Sequence, residues 1–486
     1  MLMTLPAVLL LLDWWPLGRV DIAALRPAAG GKKEKPEVKK TSCKAQSEKA
    51  CALAGTLSPA RILLEKFPFI VLSLLSCSIA FFAVHQTDAI VSMQNIPLGS
   101  RIANALVSYV LYLWKMLWPA CLYNPYLYSY SGTMQPWWKT TVACIVLAGL
   151  TFAAVKTARK RSYFLFGWLW YLGTLIPVIG FVQVGAQTMA DRFTYIPLIG
   201  IFIIIAWGAA ELSSGWCYRR AVMGSAAGVI LSGLLVCAYV QTGYWKDSIS
   251  LWTHTLACAS GNYLAHYNLG HALAGQGKLT DAIEHYESAL QLNPDYAEPH
   301  NNLGLALAGQ GKLAEAIEHY ERALQLSPNY AEPHNNLGLA LARQGKLAEA
   351  IEHYERALHL NPNYAETHNN LGVALVDQGK LPDAIEHHER ALQLNPDDAT
   401  THDSLGVALA RQGMLPEAIE HFERALQLSP DYAKAHYNLG IALARQGKLP
   451  EANPHLQQAL NLATAQNNIT LAESIRTRLK SYKAQQ

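Results

Sequence analysis

One period governs the second half of this 486-residue chain, because every 34 residues the same residue types return in the same phase. Leu-Gly pairs place Gly270, Gly304, Gly338, Gly372, Gly406 and Gly440 at this spacing. In phase with them stand Ala282, Ala316, Ala350, Ala384, Ala418 and Ala452, then Ala289, Ala323, Ala357, Ala391, Ala425 and Ala459. Pro294, Pro328, Pro362, Pro396 and Pro430 close the units. Small residues at fixed places and a proline at the end describe a helix hairpin, since two helices approach closely only where side chains are small and proline stops the second helix. Large residues fill the gaps: Leu269, Leu273 and Tyr286 in the first unit, Leu303, Leu307 and Tyr320 in the second. Gly277, Gly311, Gly345, Gly379, Gly413 and Gly447 follow each first helix, where a left-handed turn favours glycine. Pro299 and Pro333 suit the first turn of the next helix. Such units bury their apolar faces only on one another, so the fold class expected here is an all-α solenoid.

This pattern resembles the tetratricopeptide repeat (TPR) family over residues 263–466, as six repeats. Residues 244–262 read as a half-repeat linker helix, with Ile249, Trp252 and Leu256 in second-helix phase, and 467–486 as a capping helix with Leu471, Ile475 and Leu479 at helical spacing. The sixth unit departs from the pattern, with Pro454 inside its second helix and Thr464 in place of the closing proline. Repeats two and three differ only at Gly309/Arg343, Gln325/His359 and Ser327/Asn361, the mark of a recent duplication. The resemblance implies a peptide or protein ligand.

Two residues before each Leu-Gly glycine stand Asn268, Asn302, Asn336, Asn370, Ser404 and Asn438. A primary amide accepts from a peptide N–H and donates to a peptide C=O, so recurring asparagines on one groove would hold an extended chain whatever its sequence. The column is similar to the asparagine ladder of the O-GlcNAc transferase TPR superhelix. The plainer reading is a habitual solvent-facing residue. Arg343, Arg411 and Arg445, one turn further on, would make the distal groove basic and suited to acidic peptide segments, although Asp377 interrupts them. His266, His300, His334, His368, His402 and His436 form one histidine column, and His285, His319, His353, His387 and His421 a second. Ligands for a metal must converge on a point, whereas residues repeated once per unit lie a helix pair apart, so no metal site is expected. No phosphate-binding glycine loop, nucleophile elbow or HExxH motif occurs, and the eight cysteines show no ligand-like spacing. Neither a catalytic residue nor a cofactor is therefore assigned.

The first half is chemically different. A mean hydropathy of +0.09 with 51% hydrophobic and 15% charged residues is too apolar for one ordinary soluble domain, and the excess lies in residues 1–243. Apolar stretches at 67–84, 137–155, 163–182, 195–212 and 221–240 approach the roughly 20 residues a spanning helix needs, so a polytopic transmembrane helical domain with five spans is expected. Residues 102–122, interrupted by Asn104, Ser108, Lys115 and Pro119, read as an interfacial or re-entrant helix. Basic clusters at 32–49, at Lys156, Arg159, Lys160 and Arg161, and at Arg219 and Arg220 then fall on one side, the cytoplasmic one, and the fifth span delivers the repeats to the periplasm or lumen. A net charge of +3 concentrated in these loops does not describe a nucleic-acid surface.

TLPAVLLLLDWWPLGR (4–19), the aromatic segment Trp114–Pro119 and MADRFTYIPLIG (189–200) resemble the transmembrane-and-TPR O-mannosyltransferases. That resemblance implies a GT-C glycosyltransferase fold, a polyprenyl-phosphate sugar as donor and TPRs in the lumen. The acidic residues of that family's first luminal loop lie upstream of the matching segment and find no counterpart in this chain, which reads as an N-terminally truncated member. Asp191 and Arg192 would contact a lipid phosphate, or form an interfacial pair that sets helix depth. Two functions compete: a membrane-anchored scaffold with a peptide-binding groove, and an O-glycosyltransferase whose repeats recruit the acceptor.

Overall fold

The computed structural model describes residues 9, 11–12, 59–85, 97–119, 121–123, 126–127, 136–179 and 187–483. The chain divides into two compact units, 1–265 and 266–486. Nearly all described secondary structure is helical; the exception is one antiparallel pair, β1 (Tyr126–Leu127) with β2 (Gln187–Met189).

In the first unit, α1 (Pro59–His85), α2 (Leu98–Leu117), α3 (Trp137–Thr157), α4 (Ser162–Leu175), α5 (Pro197–Leu212), α6 (Arg219–Tyr244) and α7 (Ser248–Cys258) succeed one another in order. A buried aromatic cluster, Tyr109 and Tyr112 of α2 with Trp168 and Tyr171 of α4, holds its centre. Tyr171 donates to the Tyr109 carbonyl at 2.6 Å and Tyr109 to the Leu172 carbonyl at 2.8 Å, so neither hydroxyl is buried unpaired. α4 and α5 cross where both lack a side chain: a Cβ on Gly167 would stand 2.2 Å from the Gly200 carbonyl oxygen.

Among the described residues two helices are long and apolar enough to cross a membrane, α3 and α6. At two of the five expected places the helix is thus long and apolar enough to cross. α4 and α5 have 14 and 16 residues, short of a span, because chain turns follow Leu175 and precede Pro197. The expected span at 67–84 falls within α1, much of whose side-chain detail lies outside the described residues. α2 runs unbroken for 20 residues and buries Asn104 and Ser108, the residues read as interruptions. No residue of α6 is buried.

The second unit, with the helix that leads into it, is a run of hairpins: α8 (Tyr263–Gly275) with α9 (Leu279–Leu292), α10 (Ala297–Gly309) with α11 (Leu313–Leu326), α12 (Ala331–Arg343) with α13 (Leu347–Leu360), α14 (Ala365–Asp377) with α15 (Leu381–Leu394), α16 (Ala399–Gln412) with α17 (Leu415–Leu428), and α18 (Ala433–Arg445) with α19 (Leu449–Ala465). α20 (Ile469–Lys483) then packs on α19 through Ala472 and Ile475. The glycines behave as their spacing requires. Gly277, Gly311, Gly345, Gly379, Gly413 and Gly447 have φ between 76° and 94°. A Cβ on Gly304 would lie 2.7 Å from Tyr320 Cε1 and 3.0 Å from the Ala316 carbonyl, which is why the Leu-Gly glycine recurs. Lacking a closing proline, α19 runs through Pro454 to Ala465.

Candidate peptide-binding face

The first helices of successive repeats pack directly on one another, α10 on α12, α12 on α14, α14 on α16 and α16 on α18. Helices crowded together in this way line the inner curve of a solenoid. The asparagine column lies on these helices, half-buried. Each amide reaches back one repeat. Asn302 Nδ2 donates to the Tyr267 hydroxyl at 3.2 Å, Asn336 to Asn301 Oδ1 at 3.0 Å, Asn370 to Asn335 Oδ1 at 3.1 Å and Asn438 to Asp403 Oδ1 at 2.8 Å. Asn268 heads the column on α8.

A second column, missed in the sequence, therefore supplies the acceptors: Tyr267, Asn301, Asn335 and Asp403. Its signal was the doublet Asn301–Asn302, repeated at 335–336 and 369–370. Within two doublets the inner asparagine also donates to its neighbour, at 3.3 Å from Asn301 to Asn302 and 3.4 Å from Asn335 to Asn336. Where Ser404 replaces asparagine the chain of bonds stops, and the buried Asn369 Oδ1 has no hydrogen-bond partner. Asp403 is fully buried with Oδ2 likewise unbonded, and burial raises its carboxyl above the usual value despite the Asn438 amide and the nearby Lys434 ammonium.

All three arginines are exposed, and Arg411 also reaches back to the Val376 carbonyl at 3.2 Å and to Asp377 at 3.5 Å. Glu298, Glu332 and Glu366 place carboxylates on the second, third and fourth repeats. Burial raises the Tyr330 and Tyr364 hydroxyls, the latter to about 12; the Glu332 carboxylate acts on both, with Glu298 on Tyr330 and Glu366 on Tyr364. Asn335 donates to Glu366 at 3.4 Å.

The histidine columns converge pairwise, contrary to the expectation that they stay apart. Nδ1 of His266, His300, His334, His368 and His436 lies 3.1 Å from Nδ1 of His285, His319, His353, His387 and His455, and the His402–His421 pair is at 3.0 Å. Spacing along the chain hides this, because partners 19 residues apart meet only through the hairpin crossing. His455, aligned with the second column, completes it. Nε2 of His300, His368, His402 and His436 faces the carbonyl of the preceding repeat's proline at 3.0–3.3 Å. Burial lowers the affinity of these imidazoles for a proton, as at His319, His353 and His368.

In the first unit Asp191 and Arg192 open a short 3-10 turn, Asp191–Thr194; their side chains lie outside the described residues. The turn is pinned from behind, since Tyr112 Oη accepts from the Ala190 N–H at 3.0 Å and donates to its carbonyl at 3.2 Å. A mostly apolar cavity of about 600 Å³ opens beside it, lined by Ala190, Tyr195, Tyr123, Leu234 and Gln241 among others.

Family profiles described as tetratricopeptide repeat match residues 236–331, 319–352, 363–429 and 397–465, and one described as TPR repeat matches 338–379. The C-terminal half is built of TPR repeats. Protein O-mannosyl-transferase TMTC4 of Mus musculus is 28% identical over 199 residues, 35% of this chain and 26% of that protein. Protein O-mannosyl-transferase F38B6.6 of Caenorhabditis elegans is 25% identical over 168 residues, 35% of this chain and 24% of that protein. The chain thus spans about a quarter of the length of these relatives. Among solved structures, YrrB, a TPR protein with an unusual peptide-binding site, is 26% identical with a TM-score of 0.32, over 40% of this chain and 97% of YrrB.

Proposed function

We propose that this chain is a membrane-anchored TPR scaffold whose inner helix face holds a polypeptide on the periplasmic or luminal side. The asparagine ladder carries the reading. Each amide spends one N–H on the preceding repeat, so its plane is fixed before any ligand arrives. A primary amide has two N–H groups and two acceptor sites. The remainder, on the half-exposed side, is free to pair with a peptide backbone at little ordering cost. α3 and α6 supply the anchor.

Serine at position 404 already occupies a half-buried ladder site, so serine is the substitution that tests binding with least harm to the fold. The variant Asn302→Ser, Asn336→Ser, Asn370→Ser should remain helical. Each lost amide–backbone pair costs about 0.5–1.5 kcal/mol, so affinity for a polypeptide recovered by cross-linking to the wild-type chain should fall roughly ten- to a thousandfold. Equal affinities in a direct titration would reduce the ladder to an inter-repeat clasp.

A second reading, transfer of a hexose from a polyprenyl-phosphate donor to a protein hydroxyl, is favoured by the names of the relatives. In it the cavity beside the Asp191 turn would take the lipid and the repeats would recruit the acceptor. Membranes containing the chain, supplied with polyprenyl-phosphate mannose and a serine/threonine-rich acceptor peptide, should then yield a hexose-modified peptide. No mass gain above chain-free membranes would leave the scaffold.

A further inference from the structure

The geometry of the histidine pairs points to a site class outside peptide binding: we propose that each pair chelates a divalent transition-metal ion of the copper–nickel–zinc group, giving the TPR array a column of open metal sites. The bite is right. Two imidazole nitrogens 3.1 Å apart, as in His334 and His353, each about 2.0–2.1 Å from a shared ion, subtend an angle of about 100°. That lies between the ideal angles of octahedral and tetrahedral neighbouring ligands, and each ring must turn by about 40° to bring its lone pair from the partner nitrogen onto the ion. The same separation recurs in all six repeats.

The first-helix histidine already has the tautomer a ligand needs. Where its Nε2–H points at the proline carbonyl, as in His368 and His402, the proton is held on Nε2 and the Nδ1 lone pair faces its partner. A backbone carbonyl behind a ligating histidine is the usual outer support of a metal site. Without metal, the second-helix Nδ1–H fills the gap between the nitrogens as an ordinary hydrogen bond. Metal entry asks only that this proton sit on Nε2 instead, a tautomer change that releases no proton. Carboxylates add a favourable field: Glu287, Glu315 and Glu318 act on His319. Arg322, which acts on His300, is itself held by Asp295 at 3.4 Å. Two protein ligands leave the remaining positions to water or to a partner's ligands, so the ion is exchangeable rather than structural.

The test uses the full chain in detergent, purified without a polyhistidine tag, stripped by chelator and titrated at pH 7.5 with copper(II) chloride alone. Wild type should take up close to six ions, one per pair, with nitrogen superhyperfine structure in the electron paramagnetic resonance spectrum. His353→Asn and, separately, His421→Asn should each remove one equivalent with the circular dichroism unchanged. His271→Asn and His359→Asn, exposed and outside the pairs, should remove none. Zinc chloride should raise the unfolding temperature of wild type more than that of a double-pair variant, since a ligand that binds only the native state stabilises it. Stoichiometry unchanged in the pair variants, binding lost with His271 or His359 instead, or spectra without nitrogen coupling would each overturn the proposal.

Discussion

At position 404 serine stands where the other five first helices carry asparagine, and the effect is felt one repeat away. Asn369 Oδ1, buried and bonded to nothing in the protein, lacks the donor that asparagine would supply. Ser404→Asn should therefore gain about 0.5–1.5 kcal/mol, read as a higher urea midpoint with an unchanged slope; no gain would mean that a water already serves Asn369. His388 is the converse case. It fills the place that Tyr286, Tyr320, Tyr354 and Phe422 hold in other repeats, against the Leu-Gly glycine, with both ring nitrogens buried and unbonded. Burial drives its pKa down from 6.5 to about 4. Its folded value lies below the unfolded one, so the unfolded chain takes up the proton first. The stability it contributes is complete above pH 6.5 and is lost as pH falls toward 4. His388→Phe should stabilise the array by about 1–3 kcal/mol at pH 7.5 through removal of two unsatisfied polar atoms. The gap to wild type should widen between pH 6.5 and 4.5 in paired thermal melts; a constant gap would show that His388 does not titrate there.

The hairpin is the element whose form comes most directly from local chemistry. Glycine spacing foretells a close crossing, and the structure supplies its tolerance: Gly304 faces the rigid Tyr320 ring at 2.7 Å, whereas Gly440 faces the flexible Leu456 side chain, with the Ala452 carbonyl at 3.3 Å. Gly304→Ala should cost about 1–3 kcal/mol by overpacking and Gly440→Ala distinctly less, compared as shifts in unfolding temperature. Equal costs would place the constraint in the backbone crossing rather than in the side chain opposite. Turn glycines, helix ends and the face carrying the asparagines were legible because each depends on residues within one repeat. Pairing between columns was not. Whether Asn336 meets peptide or Asn301, and whether His319 meets solvent or His300, is decided by the offset between neighbouring helices, which no single-helix period contains. In the first half, composition located apolar stretches but not where turns cut them, so α4 and α5 came out shorter than the runs that suggested them.

At the scale of the whole chain the open question is which side of a membrane the repeats occupy, and the short α4–α5 hairpin bears on it directly. Arg161 at the start of α4 donates through Nε to both oxygens of Glu211 near the end of α5 at 3.0 Å, and Tyr163 donates to the same carboxylate at 2.7 Å. The hairpin therefore brings the start of α4 and the end of α5 together at one end. In the proposed topology, Lys156, Arg159, Lys160 and Arg161 share a side with Arg219 and Arg220, and the positive-inside rule would make that side the cytoplasmic one. α6, 26 residues long, apolar and with no buried residue, begins at Arg219 and is long enough to carry the repeats across. A phosphatase reporter active only in the periplasm, fused after Gln486 in a bacterial host, should be active, and the same reporter fused after Gly215 should be silent. Activity at Gly215 would reverse the hairpin's side. Silence at Gln486, with the fusion protein intact in membranes, would show that α6 does not cross and would remove the periplasmic placement of the groove.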